Sequence, residues 1–208
     1  MSIIKIAKAI LEANKIGISF HTSPDGDALG STLGLLNALR ELGKDSYIIS
    51  REVIPDNLSF LPLGSEINGE VTEPTRDTDL VIILDCGNVE RICAKLENYN
   101  GKLINLDHHI SNENYGTINY VESDSAATSE LVFLLIEALG LTFDKKDDEA
   151  LIRIGSCIYT GILTDTGSFR HSNVTERTHK IVSKLVAVGV KNNIIHSNLF
   201  ENRPFEKI

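Results

Sequence analysis

The chain has 208 residues, of which 42% are hydrophobic, and carries a formal net charge of −9 at pH 7. This length and composition suit one α/β domain with a substantial core and exclude an intrinsically disordered chain. The negative charge argues against a protein that coats duplex nucleic acid, because such a protein needs basic surface to neutralise phosphates.

Membrane and secretion signals are not expected. No segment approaches the roughly 20 apolar residues of a membrane span, and residues 1–14 lack the basic start and continuous apolar stretch of a signal peptide. Cys86, Cys93 and Cys157 lie in apolar segments without paired spacing, which is typical of reduced core thiols. We therefore expect a cytoplasmic protein with no disulfide, no zinc site and no membrane partner.

In the first part of the chain, predicted helices alternate with predicted strands. The β-branched run at residues 80–84 gives the strongest strand signal, and its continuous hydrophobicity is typical of the middle of a parallel sheet covered on both faces. Apolar periodicity predicts four elements before it. They are, in chain order, a helix at 1–14, a strand at 16–20, a helix at 28–42 and a strand at 46–50.

After the central strand, the chain is predicted to alternate again and then to become helical. The predicted elements are a helix at 89–99, strands at 102–106 and 117–121, and helices at 129–139, 147–163, 176–188 and 192–202. This order implies an α/β fold: a doubly wound, mainly parallel β-sheet with helices on both faces and C-terminal helices leading to a linker. In such sheets, ligands gather outside the carboxyl ends of the strands.

Three donor groups follow the first predicted strand, on His21, Asp25 and Asp27. Pro24 disfavours a helix at the residue before it, so this segment should form an irregular loop. An imidazole and two carboxylates in one loop can converge on a single ligand.

Two glycines accompany these donors. We expect Gly26 to let the backbone turn tightly between the acids, and Gly30 to open the following helix without crowding a ligand. An ordinary Asp-rich turn, in which Asp27 only caps the helix, is the alternative interpretation.

Further acids and a pair of histidines end other predicted elements. Asp85 ends the central strand, where a helix cap is the alternative, and Asp165 lies between two threonines, where a helix-terminating turn is the alternative. Asp107, His108 and His109 end the next strand, and alternation along a strand would aim two adjacent core histidines in different directions. The joint occurrence of such donors at four junctions predicts a dinuclear metal site.

The predicted donor set restricts the metal. Carboxylates with imidazoles and without thiolates suit a hard or borderline ion, so two Mn²⁺ ions fit better than Zn²⁺, and Co²⁺ or Mg²⁺ could substitute. A cluster of acids repels itself unless cations neutralise it. These features together indicate a metal-dependent hydrolase.

The motifs resemble those of the DHH phosphoesterases, a family named for the Asp-His-His triplet found here. They run in the family's order from His21 to Asp165, and residues 23–31 are similar to the corresponding loop of bacterial nano-RNases that also act as pAp phosphatases. Family II inorganic pyrophosphatases share such a site, but the opening helix and Gly26 argue against that branch.

The resemblance implies a role for each site residue. The implied ligands are His21 and Asp25 for a first metal, Asp27, His108 and Asp165 for a second, and Asp85 for both. As the implied catalytic residues, His109 would face the scissile phosphate, and Asp107 would orient the loop beside it. The implied reaction is two-metal hydrolysis of a phosphoester.

Four other polar residues are candidates for substrate binding. Ser125 and Thr128 could present hydroxyls and amides to a phosphate, although both also suit plain helix caps. Arg170 and His171 follow the Asp165 loop and could meet a substrate phosphate or base, with a solvated loop as the alternative.

Members of the family normally continue through a linker into a second, smaller lobe, DHHA1, which grips the substrate. The glycine-rich, histidine-containing motif of that lobe does not occur in the sequence. The resemblance therefore implies a DHH catalytic domain at 1–190, the start of a linker at 191–208, and a missing C-terminal DHHA1 lobe that would act in cis. We expect this chain to bind metal but to hydrolyse oligonucleotides poorly.

The implied function is a phosphoesterase that cleaves short oligoribonucleotides and 3′-phosphoadenosine 5′-phosphate. A cyclic or linear dinucleotide phosphodiesterase is the alternative within the family. The alternative of another class is a truncated, non-catalytic binding or assembly module. The intact set of ligand residues argues against that last alternative.

Overall fold

The computed structural model describes residues 2–201, and the predicted linker residues 202–208 lie outside this part of the chain. Among the described residues, no helix has the length and hydrophobicity needed to cross a membrane. The helices and strands are, in chain order, α1 (Ile3–Glu12), β1 (Lys15–Ser19), α2 (Gly26–Glu41), β2 (Asp45–Ile48), β3 (Leu80–Leu84), β4 (Lys102–Asp107), β5 (Ile118–Val121), α3 (Thr128–Ala138), α4 (Glu149–Asp165), α5 (Glu176–Val188) and α6 (Asn192–Phe200).

The strands form one parallel sheet in the order β2-β1-β3-β4-β5. β3 lies at the centre, between β1 and β4, and all of its residues are buried. A parallel strand that is buried on both faces has no place for polar side chains, which explains the uninterrupted apolar run. The predicted α/β class with a parallel sheet is confirmed.

The two faces of the sheet border two separate cores. Leu80, Ile82 and Leu84 of β3 join the large core, which also contains the buried side chains of the α-helices. Val81 and Ile83 point the other way, into a small core built from strands and irregular segments. The alternation along β3 follows from the two-residue repeat of an extended strand.

The segment that packs on the second face of the sheet differs from the prediction. Residues 89–99, predicted to be a helix, contain one 3-10 turn at Val89–Arg91 and are otherwise irregular. Ile92 and Ala94 enter the small core, whereas Cys93 between them enters the large core. This alternation belongs to extended chain and not to a helix. The predicted helix is therefore wrong, and in residues 2–201 no α-helix contributes to the small core.

On the helical face, α2 and α4 cross in close contact because glycine occupies the crossing point. A Cβ added to Gly30 would lie 2.6 Å from the carbonyl oxygen of Cys157 and 2.8 Å from the amide nitrogen of Gly161. Gly30 was predicted to keep space free for a ligand. The structure shows instead that it lets two helix backbones approach each other.

The crossing also brings together the start of α2 and the end of α4. A Cβ on Gly26, the first residue of α2, would overlap the side chain of Thr164 near the end of α4. Gly26 therefore serves this helix contact, and its φ is not in the left-handed region that a tight glycine turn would use. As a result, Asp27 and Asp165 come to the same end of the helix pair.

Gly30→Ala is expected to lower the free energy of unfolding by roughly 1–3 kcal/mol more than Gly34→Ala does, because the new methyl group would meet rigid backbone. Gly34 lies on the same helix and is the matched control, since its Cβ would meet the movable end of Ile158 at 2.7 Å. Urea unfolding of both variants gives the comparison. Equal stabilities would contradict the proposed role of Gly30.

Candidate metal centre

The carboxyl ends of parallel strands share one edge of the sheet, and the predicted ligands gather there. His21 and Asp85 follow β1 and β3, and the Asp-His-His triplet begins at the last residue of β4. The start of α2 and the end of α4 add carboxylates from the helical side. Strands and helices therefore deliver donors to one place from two directions.

All six predicted metal ligands lie in groups that could hold an ion. Within each group the ligand atoms lie within 4.8 Å of one another. The first trio is His21, Asp25 and Asp85, the second trio is Asp27, His108 and Asp165, and a third group joins Asp85 to His108 and His109. The first two groups match the residue sets predicted for two metals. The donor chemistry, carboxylate oxygen and imidazole nitrogen, fits a hard or borderline divalent ion.

Two histidines present the same ring nitrogen to this cluster. Nδ1 of His21 lies 2.9 Å from the carbonyl oxygen of Thr22, and Nδ1 of His108 lies 3.2 Å from that of Ser125. A carbonyl can only accept a hydrogen bond, so Nδ1 carries the proton and donates it. Nε2 of each ring then faces the carboxylates. This is the arrangement in which backbone carbonyls orient metal-binding imidazoles.

The carboxylates of the cluster raise the pKa values of the neighbouring imidazoles. Burial alone would lower the pKa of His21, but its contacts with Asp25 and Asp85 raise that pKa to about 10. Burial likewise opposes protonation of His108, yet its contact with Asp165 raises its pKa to about 10. The cluster therefore attracts protons when no other cation neutralises it.

Asp27 is the most deeply buried carboxylate of the cluster, with no exposed surface. Burial raises its pKa well above the usual range, and the charges of Asp85 and Asp165 raise it further. The backbone amides of Thr128 and Ser129, at the start of α3, donate to its two oxygens at 2.6 and 2.9 Å. These amides and the partial positive charge of a helix N-terminus favour the ionised form.

Asp85 occupies a strained position between the two trios. Its φ is 54°, in the left-handed region that few residues other than glycine adopt. The hydroxyl of Thr128 donates to Oδ1 at 2.9 Å, and Nε2 of His108 lies 3.7 Å from the same oxygen. The alternative role as a helix cap is not observed, because Asn88 caps the following turn. Asp85 therefore belongs to the first trio and lies beside His108 of the second, and its shared role stays a prediction.

His109 differs from the other two histidines. Its Nδ1 donates to Oδ1 of Asp107 at 2.7 Å, and its side chain is 44% exposed. Burial opposes ionisation of Asp107, but hydrogen bonds from His109 and Asn112 hold the pKa of this carboxyl below its usual range. Asp107 is thus a buried carboxylate that orients a partly exposed imidazole.

The candidates for substrate binding occupy two different settings. Oγ of Ser125 lies 2.9 Å from the carbonyl oxygen of Ala127 and 3.0 Å from Oε2 of Glu130, and its single proton is donated to one of them at a time. Thr128 contacts Asp27 and Asp85 as described above. Both therefore act inside the protein as supports of the ligand residues. Their contact with substrate stays a prediction.

Arg170 and His171 are exposed in the loop after Asp165, as the sequence predicted. Nε of Arg170 donates to the carbonyl of Gly167 at 2.7 Å, and Nδ1 of His171 lies 3.3 Å from the carbonyl of Asp165. Their contact with substrate also stays a prediction.

Arg91 was not singled out from the sequence. Its guanidinium lies 3.3 Å from Nδ1 of His21, so a permanent positive charge stands beside the first trio. A cation that follows the central strand by a few residues was the only available signal, and such a residue is ordinarily a surface charge.

An ion pair with a buried carboxylate holds the loop that leads to the Thr128 and Ser129 amides at the start of α3. Glu130 is fully buried, and its Oε1 has no hydrogen-bond partner among the described residues. Nε of Arg177 in α5 donates to Oε2 of Glu130 at 3.1 Å, and the same guanidinium bonds Glu122. Arg177 therefore fastens both ends of the loop between β5 and α3.

The chain is similar to known proteins along most of its length. A sequence model described as DHH family, N-terminal domain, matches residues 15–162. The bifunctional oligoribonuclease and PAP phosphatase NrnA of Thermus thermophilus is 36% identical over 90% of this chain and 55% of its own length. The Bacillus subtilis protein of the same name is 31% identical over 88% of this chain and 56% of its own length. The chain thus spans about half the length of these relatives.

A solved structure shows the same fold. The crystal structure of an exopolyphosphatase-related protein from Bacteroides fragilis superimposes with a TM-score of 0.86 at 29% identity. The match covers 98% of this chain and 61% of that chain. The chain therefore has the fold of one part of that longer protein.

Metal should stabilise the folded chain, because a folded site binds the ion and the unfolded chain lacks the site. At an Mn²⁺ concentration of 100 times the Kd, the free energy of unfolding should rise by about 2.7 kcal/mol for each site. Asp85→Asn should remove most of this gain, because Asp85 belongs to the first trio and lies beside His108 of the second. Urea unfolding with and without MnCl₂, together with calorimetry, measures it.

The control is Asp124→Asn, an exposed acid outside the three groups. Its gain should equal that of the parent chain. A full gain in Asp85→Asn would count against the shared role of that carboxylate.

Arg177→Met should lower the free energy of unfolding by about 1–3 kcal/mol, because it leaves the buried Glu130 carboxylate without its cationic partner. Lys180→Met on the same helix is the control, since Lys180 pairs with Glu176 on the surface and both side chains are well exposed. Its effect should stay within roughly 0.5 kcal/mol. Similar losses in both variants would refute a special role for Arg177.

Proposed function

The chain belongs to the DHH family, and on that premise we propose that it is the catalytic part of a metal-dependent phosphoesterase. The observation that carries the proposal is the proximity of two acid-imidazole trios, which the third group links through Asp85 and His108. Its proposed substrates are short oligoribonucleotides and 3′-phosphoadenosine 5′-phosphate, in keeping with the names of the NrnA proteins it resembles.

The residues that would hold the metal are those of the first and second trios, and Asp85 would contribute to both sites. Mn²⁺ is the proposed ion, because oxygen and imidazole donors without thiolate suit it. When bound, the ions supply positive charge to the phosphate and ease deprotonation of the attacking water. The protein's own part is to hold the carboxylates in place, and the Thr128 and Ser129 amides that donate to Asp27 favour its ionised form against the effect of burial.

His109 is the proposed proton donor to the leaving oxygen. Its hydrogen bond to Asp107 raises the pKa of the imidazole, although burial opposes this shift. The ring therefore holds a proton more readily, and Nδ1 stays engaged with Asp107. Nε2 is the atom left to exchange a proton with substrate.

We propose that the chain is the DHH catalytic domain of a two-lobed enzyme. Ile195 and Leu199 of α6 are buried in the large core, which supports a catalytic domain that extends through α6 rather than ending at residue 190. The linker would then start near residue 201, and a C-terminal DHHA1 lobe acting in cis would hold the nucleotide. The coverage of only 55–56% of the NrnA proteins supports this arrangement.

The test is hydrolysis of bis-p-nitrophenyl phosphate, 3′-phosphoadenosine 5′-phosphate, a diribonucleotide and cyclic di-AMP by the purified chain with Mn²⁺. We expect slow, metal-dependent cleavage of the small activated diester and poor cleavage of the oligonucleotide, because remote binding groups support turnover. His109→Gln should lower kcat by about 10²–10⁴-fold while Mn²⁺ binding persists.

His179→Gln is the control, since His179 is exposed on α5 and lies outside the three groups. Its activity should match that of the parent chain. Hydrolysis that does not depend on metal would overturn the proposed mechanism. Preferential cleavage of cyclic di-AMP would replace the proposed substrate with a cyclic dinucleotide.

A further inference from the structure

A buried asparagine stands in the middle of an apolar strand. Asn105 of β4 has no exposed surface, and its neighbours Ile104 and Leu106 belong to the large core. An amide buried among apolar side chains is costly unless all of its polar atoms are paired. Its position therefore calls for a specific set of partners.

Those partners connect the loops that follow β3 and β4. Nδ2 of Asn105 donates to the carbonyl of Cys86 at 3.1 Å and to the hydroxyl of Tyr115 at 3.0 Å. The Tyr115 hydroxyl donates to the same carbonyl at 2.7 Å. Oδ1 of Asn105 accepts from Nδ2 of Asn112 at 2.8 Å. The amide of Asn105 is thus fully satisfied, and it fixes the side chain of Asn112.

Asn112 in turn holds one side of a carboxylate. Its Nδ2 donates to Oδ2 of Asp107 at 2.6 Å, while Oδ1 of Asp107 accepts from Nδ1 of His109 at 2.7 Å. The backbone amide of Asn112 also donates to the carbonyl of His109 at 3.1 Å. The contact with Asn112 on Oδ2 fixes the rotation of the carboxylate in which Oδ1 faces the imidazole.

The backbone leaves little room for another arrangement. A Cβ added to Gly87 would lie 3.3 Å from Oδ2 of Asp107 and 3.5 Å from both Cβ of His109 and Cα of Asn112. The loop after β3 therefore packs directly against the carboxylate and its two partners.

We propose that Asn112 is a positioning residue that acts through Asp107 to keep the proton of neutral His109 on Nδ1. The carboxylate accepts only from a protonated Nδ1, so the contact selects one of the two imidazole tautomers. Nε2 then remains the atom that meets substrate. This inference rests on the proposed function only in the role given to His109.

The test replaces Asn112 by an isostere without donors. Asn112→Asp keeps the shape of the side chain but turns two donors into acceptors that face Asp107 and Asn105. Two-dimensional ¹H–¹⁵N correlation of the metal-free chain in alkaline buffer shows which ring nitrogen of His109 is protonated, and His109→Gln assigns the signals. The ratio of the Nδ1–H to the Nε2–H form should fall about tenfold or more, as expected when a hydrogen bond to an ionised group is weakened.

Asn119→Asp is the matched control. Asn119 lies opposite Asn105 in the β4–β5 register, and its Nδ2 donates to the carbonyls of Asn114 and Gly116. The substitution therefore removes the same donors one strand away without touching Asp107. Its His109 tautomer ratio should stay at the parent value, even if its thermal stability falls as much as that of Asn112→Asp.

Asn112→Ala, which adds no charge, is the second variant if Asn112→Asp does not fold. A parent-like tautomer ratio in the folded variant would overturn the inference, as would an equal change in Asn119→Asp. Because the spectrum needs neither metal nor substrate, this result stands apart from the metal-binding test of the proposed function. If the parent chain hydrolyses bis-p-nitrophenyl phosphate, kcat should also fall 10- to 100-fold in the variant with KM unchanged.

Discussion

Repulsion among carboxylates that are withdrawn from water is the constraint on which the rest of the structure depends. Asp27 and Asp85 are nearly inaccessible, and Asp165 completes an acidic group that would be unremarkable on the surface. Removed from solvent, the same charges interact far more strongly. Three features counter this repulsion. They are the amides at a helix N-terminus, the two oriented imidazoles and the groups of donors that could hold divalent cations.

The fold causes this repulsion because it brings the carboxylates and imidazoles together. A parallel sheet delivers His21, Asp85 and the triplet to a single edge, and the crossing of α2 with α4 brings two more carboxylates to it. Gly30 sets how closely those helices approach, so a residue that touches no ligand controls the distance between ligand-bearing segments. The packing of α2 against α4 therefore sets the distances between the charged groups of the cluster.

The sequence was sufficient for the features that follow from local pattern. The run at 80–84 predicted a buried parallel strand, and donors at successive strand ends predicted one shared cluster, because parallel topology makes neighbours of such ends. Contacts between distant segments could not be predicted in this way. The helix contacts of Gly26 and Gly30, the extended path of residues 92–94 and the pairing of Asn105 with Asn112 all depend on which segments meet in space.

The two sides of the cluster differ in how firmly the chain holds them. Asp27 and Asp165 are anchored on helices of the large core, whereas Asp85 begins an irregular segment above the small core. Irregular segments with few apolar contacts open at lower free energy than packed helices do, so amide hydrogens after β3 should exchange sooner than those of α2 and α4. Local opening of the segment after β3 would expose one side of the cluster while the helical core stays folded.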